Sequence, residues 1–317
     1  MVVLTLLFVN KYLFLVVRVA MARARIIRNA NRKEWELSRQ KFMFGASCAA
    51  DVVGLGRSSR NQLLQRYVWK AFKQQTRGDK LASLVSKSEE KAVNQFLQRK
   101  MANGCANEPR IMRVVQTYGL HMEIGFGPNA DLASRFLMRK LVAHPGNRIL
   151  EWSIVESPYN SLMACSPDGL FPEGGLGYEF KTKDQVKIPS CPEEVLDCEY
   201  LQCQTCLSFC KDFVWAWILC YNRLDTGEFK AYLIVLDEDL WDSFMAPATD
   251  EFVTKCMDVA QKLVDKLNRR QYVGYIRFNE FLEEHKYPPF DRGVKAYNNS
   301  LTTNSKKRHV FPISFSN

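Results

Sequence analysis

Two carboxylates and a lysine stand close together in the middle of this chain. Asp168 lies in the segment Ala164-Cys165-Ser166-Pro167-Asp168-Gly169-Leu170, and Glu179 and Lys181 follow in Gly177-Tyr178-Glu179-Phe180-Lys181. The second segment reads as a short strand. Residues two apart on a strand share a face, so Glu179 and Lys181 project together while Tyr178 and Phe180 face the other way. If Asp168 folds back beside that strand, two carboxylates and an ammonium converge. Carboxylates that close repel unless a cation separates them, and their hard oxygens suit Mg²⁺, with Mn²⁺ as a substitute. An adjacent lysine can orient or deprotonate a water. This is equipment for metal-assisted hydrolysis of a phosphodiester. An Asp, a gap and Glu-x-Lys form a weak pattern alone, because acid and lysine also alternate on solvated sheet faces and Asp-Gly suits ordinary turns.

The flanking elements must do the positioning. Leu63, Leu64, Val68 and Phe72 give Asn61–Gln75 a helical period. Leu81–Arg99 reads as a second helix, with Lys87, Glu89, Glu90 and Lys91 on its solvated face. Gly127-Pro128-Asn129 opens another helix, carrying Ala130, Ala133, Phe136, Leu137 and Leu141, and Glu123 lies just before it. Ile149–Val155 and Ser161–Cys165 read as paired strands joined by a turn at Pro158-Tyr159-Asn160. Pro172-Glu173-Gly174-Gly175 loops into the Glu179 strand. Phe213–Tyr221 and Phe229–Leu236 are further apolar strands. Leu240–Leu267 is largely helical, with Lys262, Lys266, Arg269 and Arg270 at its end. The chain shows no internal repeat, P-loop or zinc-finger spacing.

With 317 residues, 47% of them hydrophobic, the chain can bury a substantial core. A formal net charge of +10 favours polyanionic partners. Ten cysteines in this length argue for reduced thiols in an intracellular, cytoplasmic or nuclear protein rather than a secreted disulfide scaffold. Cys198, Cys203, Cys206 and Cys210 cluster, but the last three recur at i, i+3, i+7. That is the spacing of a packed helical face, and it favours core packing over an iron–sulfur cluster. Residues 1–30 read as an apolar and then basic N-terminal extension. Asn10, Lys11 and Arg18 interrupt Val2–Val19, leaving no run near the ~20 residues a membrane span needs, and Met21 is an alternative start. Neither a basic leader nor a small-residue cleavage site marks a secretory signal. Residues 31–286 read as the principal domain. Residues 287–317 read as a loose tail with a basic Lys306-Lys307-Arg308 triplet.

Four stretches in order resemble the PD-(D/E)xK nuclease superfamily, in its branch of phage lambda exonuclease, YqaJ viral recombinases and viral alkaline exonucleases. Trp35-Glu36-Leu37-Ser38-Arg39, running on to Gly45-Ala46-Ser47, looks like the "W…R…TAS" element. Tyr118-Gly119-Leu120-His121-Met122-Glu123 looks like the "WG…E" element. The Ser-Pro-Asp-Gly-Leu to Glu-Phe-Lys stretch is the third. Tyr200-Leu201-Gln202-Cys203-Gln204 looks like the "Y…QxQ" helix.

The resemblance implies an α/β restriction-endonuclease-like fold, with a mixed central sheet flanked by helices and an exonuclease domain over 31–286. It implies a Mg²⁺-dependent 5′→3′ exonuclease on double-stranded DNA, working in recombination or viral DNA processing. Alternatives are an endonuclease or single-strand-preferring nuclease on the same fold, or a non-catalytic DNA-binding protein. Metal ligands would be Asp168, Glu179, the Phe180 carbonyl and Glu123. Lys181 and Gln202 would serve the attacking water and the scissile phosphate. Arg39, Ser47 and Ser166 would bind a 5′-terminal phosphate, and Lys187 the DNA backbone. Implied partners are 5′-phosphorylated duplex ends, a single-strand-annealing recombinase and a homotrimeric assembly.

Overall fold

A computed structural model describes residues 24–42, 44–56, 58–76, 85–86, 95–118, 149–184, 186–268, 276–288 and 310–313. The protein is a mixed α/β structure with two mixed sheets flanked by helices. The smaller sheet has the order β1-β4-β5-β2, from Ile26–Arg28 (β1), Phe44–Gly45 (β2), Ser153–Glu156 (β4) and Met163–Cys165 (β5). In it β2 runs parallel to β5, and the other pairs are antiparallel. The larger sheet has the order β11-β9-β8-β7-β6, from Gly169–Phe171 (β6), Leu176–Lys183 (β7), Ala216–Arg223 (β8), Phe229–Val235 (β9) and Val310–Ile313 (β11). A two-stranded parallel ribbon joins Val85–Ser86 (β3) to Ile276–Arg277 (β10).

The β7–β8 pair is parallel and therefore needs a crossover. The helix Asp197–Cys210 (α5) supplies it. The alternation of β7 and β8 divides the core in two. Tyr178, Phe180, Ile218 and Cys220 join Ile111, Met112 and Val115 of the helix Gln95–Tyr118 (α4) on one face. Trp217, Leu219 and Tyr221 face α5 and, beyond it, the helices Ala49–Val52 (α2), Arg60–Gln75 (α3) and Ala246–Asn268 (α6). A turn at Glu238–Leu240 and a π-helical turn at Trp241–Met245 lead into α6. The Trp217 indole lies so close over β7 that a Cβ at Gly177 would stand 2.2 Å from its ring. Only glycine fits there.

Local signals explain several boundaries. Ser59 and Gln62 form a reciprocal capping box at the start of α3. Asn31 caps the helix Arg32–Arg39 (α1) by accepting from the Glu34 amide. Asn61–Gln75 is helical as expected, extended by one residue.

Elsewhere the structure departs from the sequence reading. The expected helix over Leu81–Arg99 is replaced at Val85–Ser86 by a strand, and α4 begins at Gln95 and runs on to Tyr118. It passes through Gly104 and Pro109, because burying Ile111, Met112 and Val115 against β7 outweighs the amide bond lost at a single proline. The strand expected from Ile149 starts only at Ser153, because Trp152 adopts φ +54°. The strand expected from Phe213 starts at Ala216, since the Phe213 and Val214 amides are taken by the Cys210 carbonyl. Within the expected loose tail, Val310–Ile313 pairs antiparallel with β9. It is an edge strand, where Pro312 is tolerated. The helix expected to open at Gly127 lies outside the described residues. No helix among the described residues is long and apolar enough to cross a membrane.

Candidate active site

The β6–β7 hairpin folds Asp168 back onto the Glu-Phe-Lys strand. The Asp168 amide donates to the Tyr178 carbonyl at 3.1 Å, and its carboxylate Oδ2 accepts from the Phe180 amide at 2.6 Å. Gly169 makes this fold-back possible. A Cβ there would stand 2.7 Å from Ile149 and 2.9 Å from Met112, so any side chain would push β6 away from α4.

Glu179 and Lys181 project together as the strand period requires. Lys181 Nζ donates to Glu179 Oε1 at 2.8 Å and to Gln202 Oε1 at 3.0 Å, which ties β7 to α5. Glu179 is only 5% exposed, yet its second oxygen, Oε2, is buried with no hydrogen-bond partner among the described residues. A buried carboxylate oxygen without a partner is costly, which makes it the anomaly of the site.

The charges bear this out. Burial first, then the charges of Glu179 and Glu108, push the Asp168 carboxyl well above the usual carboxylate range, against the opposing pull of Lys181 and the Phe180 amide. Glu108, on α4, is raised by burial and then by Glu179. Burial works against the Lys181 ammonium, but Glu179, Asp168 and Glu199 outweigh it and hold it above its ordinary value. Three acids thus act on one another around a single lysine, more negative charge than that lysine neutralises.

Glu108 is absent from the sequence reading, which placed the helix-borne acid at Glu123, outside the described residues. Its signal is present in retrospect. Ile111, Met112 and Val115 keep a helical period beyond Gly104 and Pro109.

A hard divalent cation fits this chemistry. The donors are carboxylate oxygens, one of them orphaned, and the charge excess is of the right sign. No group of three His, Cys, Asp or Glu side chains stands at mutual metal-ligating distance among the described residues.

Beside this cluster lies a second buried pair. Lys183 donates to Glu199 Oε1 at 2.6 Å, and the Tyr221 hydroxyl donates to Glu199 Oε2 at 2.5 Å. Under it Cys203, Cys206 and Cys210 pack into the core. Burial pushes all three thiols up, so they stand as neutral apolar groups. Gln204, two residues after Gln202, is turned into the structure, where it bonds the Val235 carbonyl and the Asp237 amide.

Two of the residues expected to hold a phosphate, Ser47 and Ser166, lie just past the ends of β2 and β5 in the smaller sheet. Gly45 of β2 is in register with Ala164 of parallel β5, so Ser47 and Ser166 each follow a paired residue by two positions at the same end of the sheet. Arg39 ends α1, exposed, with its guanidinium 4.3 Å over the Trp35 ring.

Lys70 of α3 joins this region and was not anticipated. Its ammonium donates to the Phe42 carbonyl, and burial, then the Arg39 charge, lower its pKa. A mid-helix lysine some thirty residues from Arg39 carries no local signal of that proximity. No contact among the described residues brings Lys187 to this region. It is exposed and bonds Ser190 at 3.4 Å and Glu194 at 3.6 Å within its own loop.

No known family model matches the chain, and no curated protein matches it significantly.

Proposed function

We propose that this protein is a PD-(D/E)xK-type, divalent-metal-dependent nuclease that digests double-stranded DNA 5′→3′ from its ends, in recombination or viral DNA processing. The observation that carries the reading is the convergence of Asp168, Glu179 and Lys181, with Glu179 Oε2 buried and unpartnered among the described residues. The net charge of +10 agrees with a polyanionic substrate.

Asp168 and Glu179, with the Phe180 carbonyl, would hold the ion, and Glu108 adds negative charge beside them. When bound, Mg²⁺ supplies Lewis acidity and a more acidic water. Lys181 has its ammonium kept charged by its acidic neighbours, so it can hydrogen-bond the attacking water and offset charge developing on the phosphoryl oxygens. Gln202 holds that ammonium in place from α5.

Arg39 offers a planar fork to a terminal phosphate. Ser47 and Ser166 contribute hydroxyls from just beyond the ends of β2 and β5, and Lys70 adds positive charge near Arg39. A pocket of this kind makes free 5′-phosphorylated ends the substrate, and a single-strand-annealing protein would receive the strand left behind.

The test is digestion with Mg²⁺ of linear 5′-phosphorylated duplex, the 5′-hydroxyl form and a closed circle, by the wild type and by Arg39→Ala. The reading predicts rapid loss of the 5′-phosphorylated strand, intact circles, and little distinction between phosphate and hydroxyl ends in the variant. Cutting of circles would make the enzyme an endonuclease.

A further inference from the structure

A cavity of about 90 Å³ opens beside Asp168, walled by Trp35 and Trp152 and bounded by Glu108, Met112 and Arg32. The two indoles meet edge to face, with centroids 5.8 Å apart, and both are half-buried, so each keeps surface open to the cavity.

Trp152 is held there at a cost. Its φ of +54° is a left-handed conformation that bulky residues rarely adopt. A relay fixes it: Ser38 of α1 donates to Asn29 Oδ1 at 2.9 Å, and Asn29 Nδ2 donates to the Trp152 carbonyl at 2.7 Å. The left-handed conformation delays the start of β4 to Ser153 and sets the indole against Trp35.

Position gives the cavity its meaning. Trp35 carries the Arg39 guanidinium over its ring and also lines the cavity that contains Asp168. The cavity therefore lies between the group proposed to read the 5′-phosphate and the group proposed to serve the cut. In DNA trimmed one residue at a time, what lies between the terminal phosphate and the scissile phosphate is a single nucleoside. We propose that Trp35 and Trp152 form a stacking pocket for the terminal nucleoside, unstacked from the duplex. This rests on the nuclease reading above. Base–aromatic stacking is tolerant of sequence, because every base has a π-face, so the pocket would take any of the four bases.

The test is binding without metal, so that no hydrolysis intervenes. Fluorescence anisotropy compares duplexes whose 5′-phosphorylated terminal residue is normal or abasic. Loss of one stack predicts roughly 10-fold weaker binding of the abasic end by the wild type. Trp152→Ala should bind the normal end about as weakly, with no distinction between the two ends, and Trp152→Phe should restore most of it. Trp152→Gly accepts the positive φ without strain, so it removes the ring and keeps the fold. Equal binding of normal and abasic ends by the wild type overturns the proposal, even in an enzyme that cuts DNA. Base-dependent end binding by a protein that cuts nothing with Mg²⁺ or Mn²⁺ leaves the pocket standing and overturns the nuclease reading instead.

Discussion

Strand β7 carries two lysines two residues apart, each paired with a buried glutamate, and the pairs differ in one respect. Glu199 has both oxygens satisfied, by Lys183 and by Tyr221. Glu179 has one oxygen on Lys181 and the other, among the described residues, on nothing. Both acids are 5% exposed, so burial does not separate them. The first pair is closed and serves the fold. The second is left open beside two further acids, Asp168 and Glu108.

The largest expected effect separates the pairs by activity. Glu179→Gln should lower the rate of digestion about 10³-fold, within the range for groups acting directly on the reacting atoms. Its melting temperature should match or exceed the wild type, because one of three mutually repelling acids is gone.

Glu199→Ala should do the reverse. Removing one partner of a buried ion pair costs about 3–5 kcal/mol. Denaturant melts should show that loss, while cutting per folded molecule is retained.

A third expectation concerns pH and metal. The Asp168 and Glu108 carboxyls are raised in the folded state, so the folded protein binds more protons than the unfolded chain between the ordinary carboxylate value of about 4 and the raised values. Without metal, stability should therefore fall as pH rises through that window. Mg²⁺ at about 100 times its dissociation constant should restore about 2.7 kcal/mol at neutral pH, and Glu179→Gln should lose most of that gain. Thermal melts across pH with and without Mg²⁺ read both effects.

The smallest effect is at Lys187. Its exposed pairing with Glu194 predicts that Lys187→Ala changes stability by less than about 0.5 kcal/mol.

The open pair was legible in the sequence because its geometry is local. Strand period puts Glu179 and Lys181 on one face, a Pro-Asp-Gly turn returns Asp168 to it, and the next helix delivers Gln202. Lys70 was not legible and Glu108 was legible only through the helical period of its neighbours, because each reaches its site through tertiary packing of a distant helix. Glu108 was further masked by Gly104 and Pro109, whose local preference for ending a helix yields here to burial of the α4 face. Trp152 was read as a strand residue because nothing in a Glu-Trp-Ser sequence announces a left-handed backbone. That conformation is imposed from outside by Asn29.

The most direct measurement is the rate at which purified protein releases nucleotides from linear, 5′-phosphorylated duplex DNA in Mg²⁺, for the wild type and Lys181→Ala side by side, each corrected for its folded fraction. The account predicts rapid release by the wild type and a loss of about 10³-fold in the variant. Equal rates in the two proteins, or no release by the wild type with either Mg²⁺ or Mn²⁺, would contradict it.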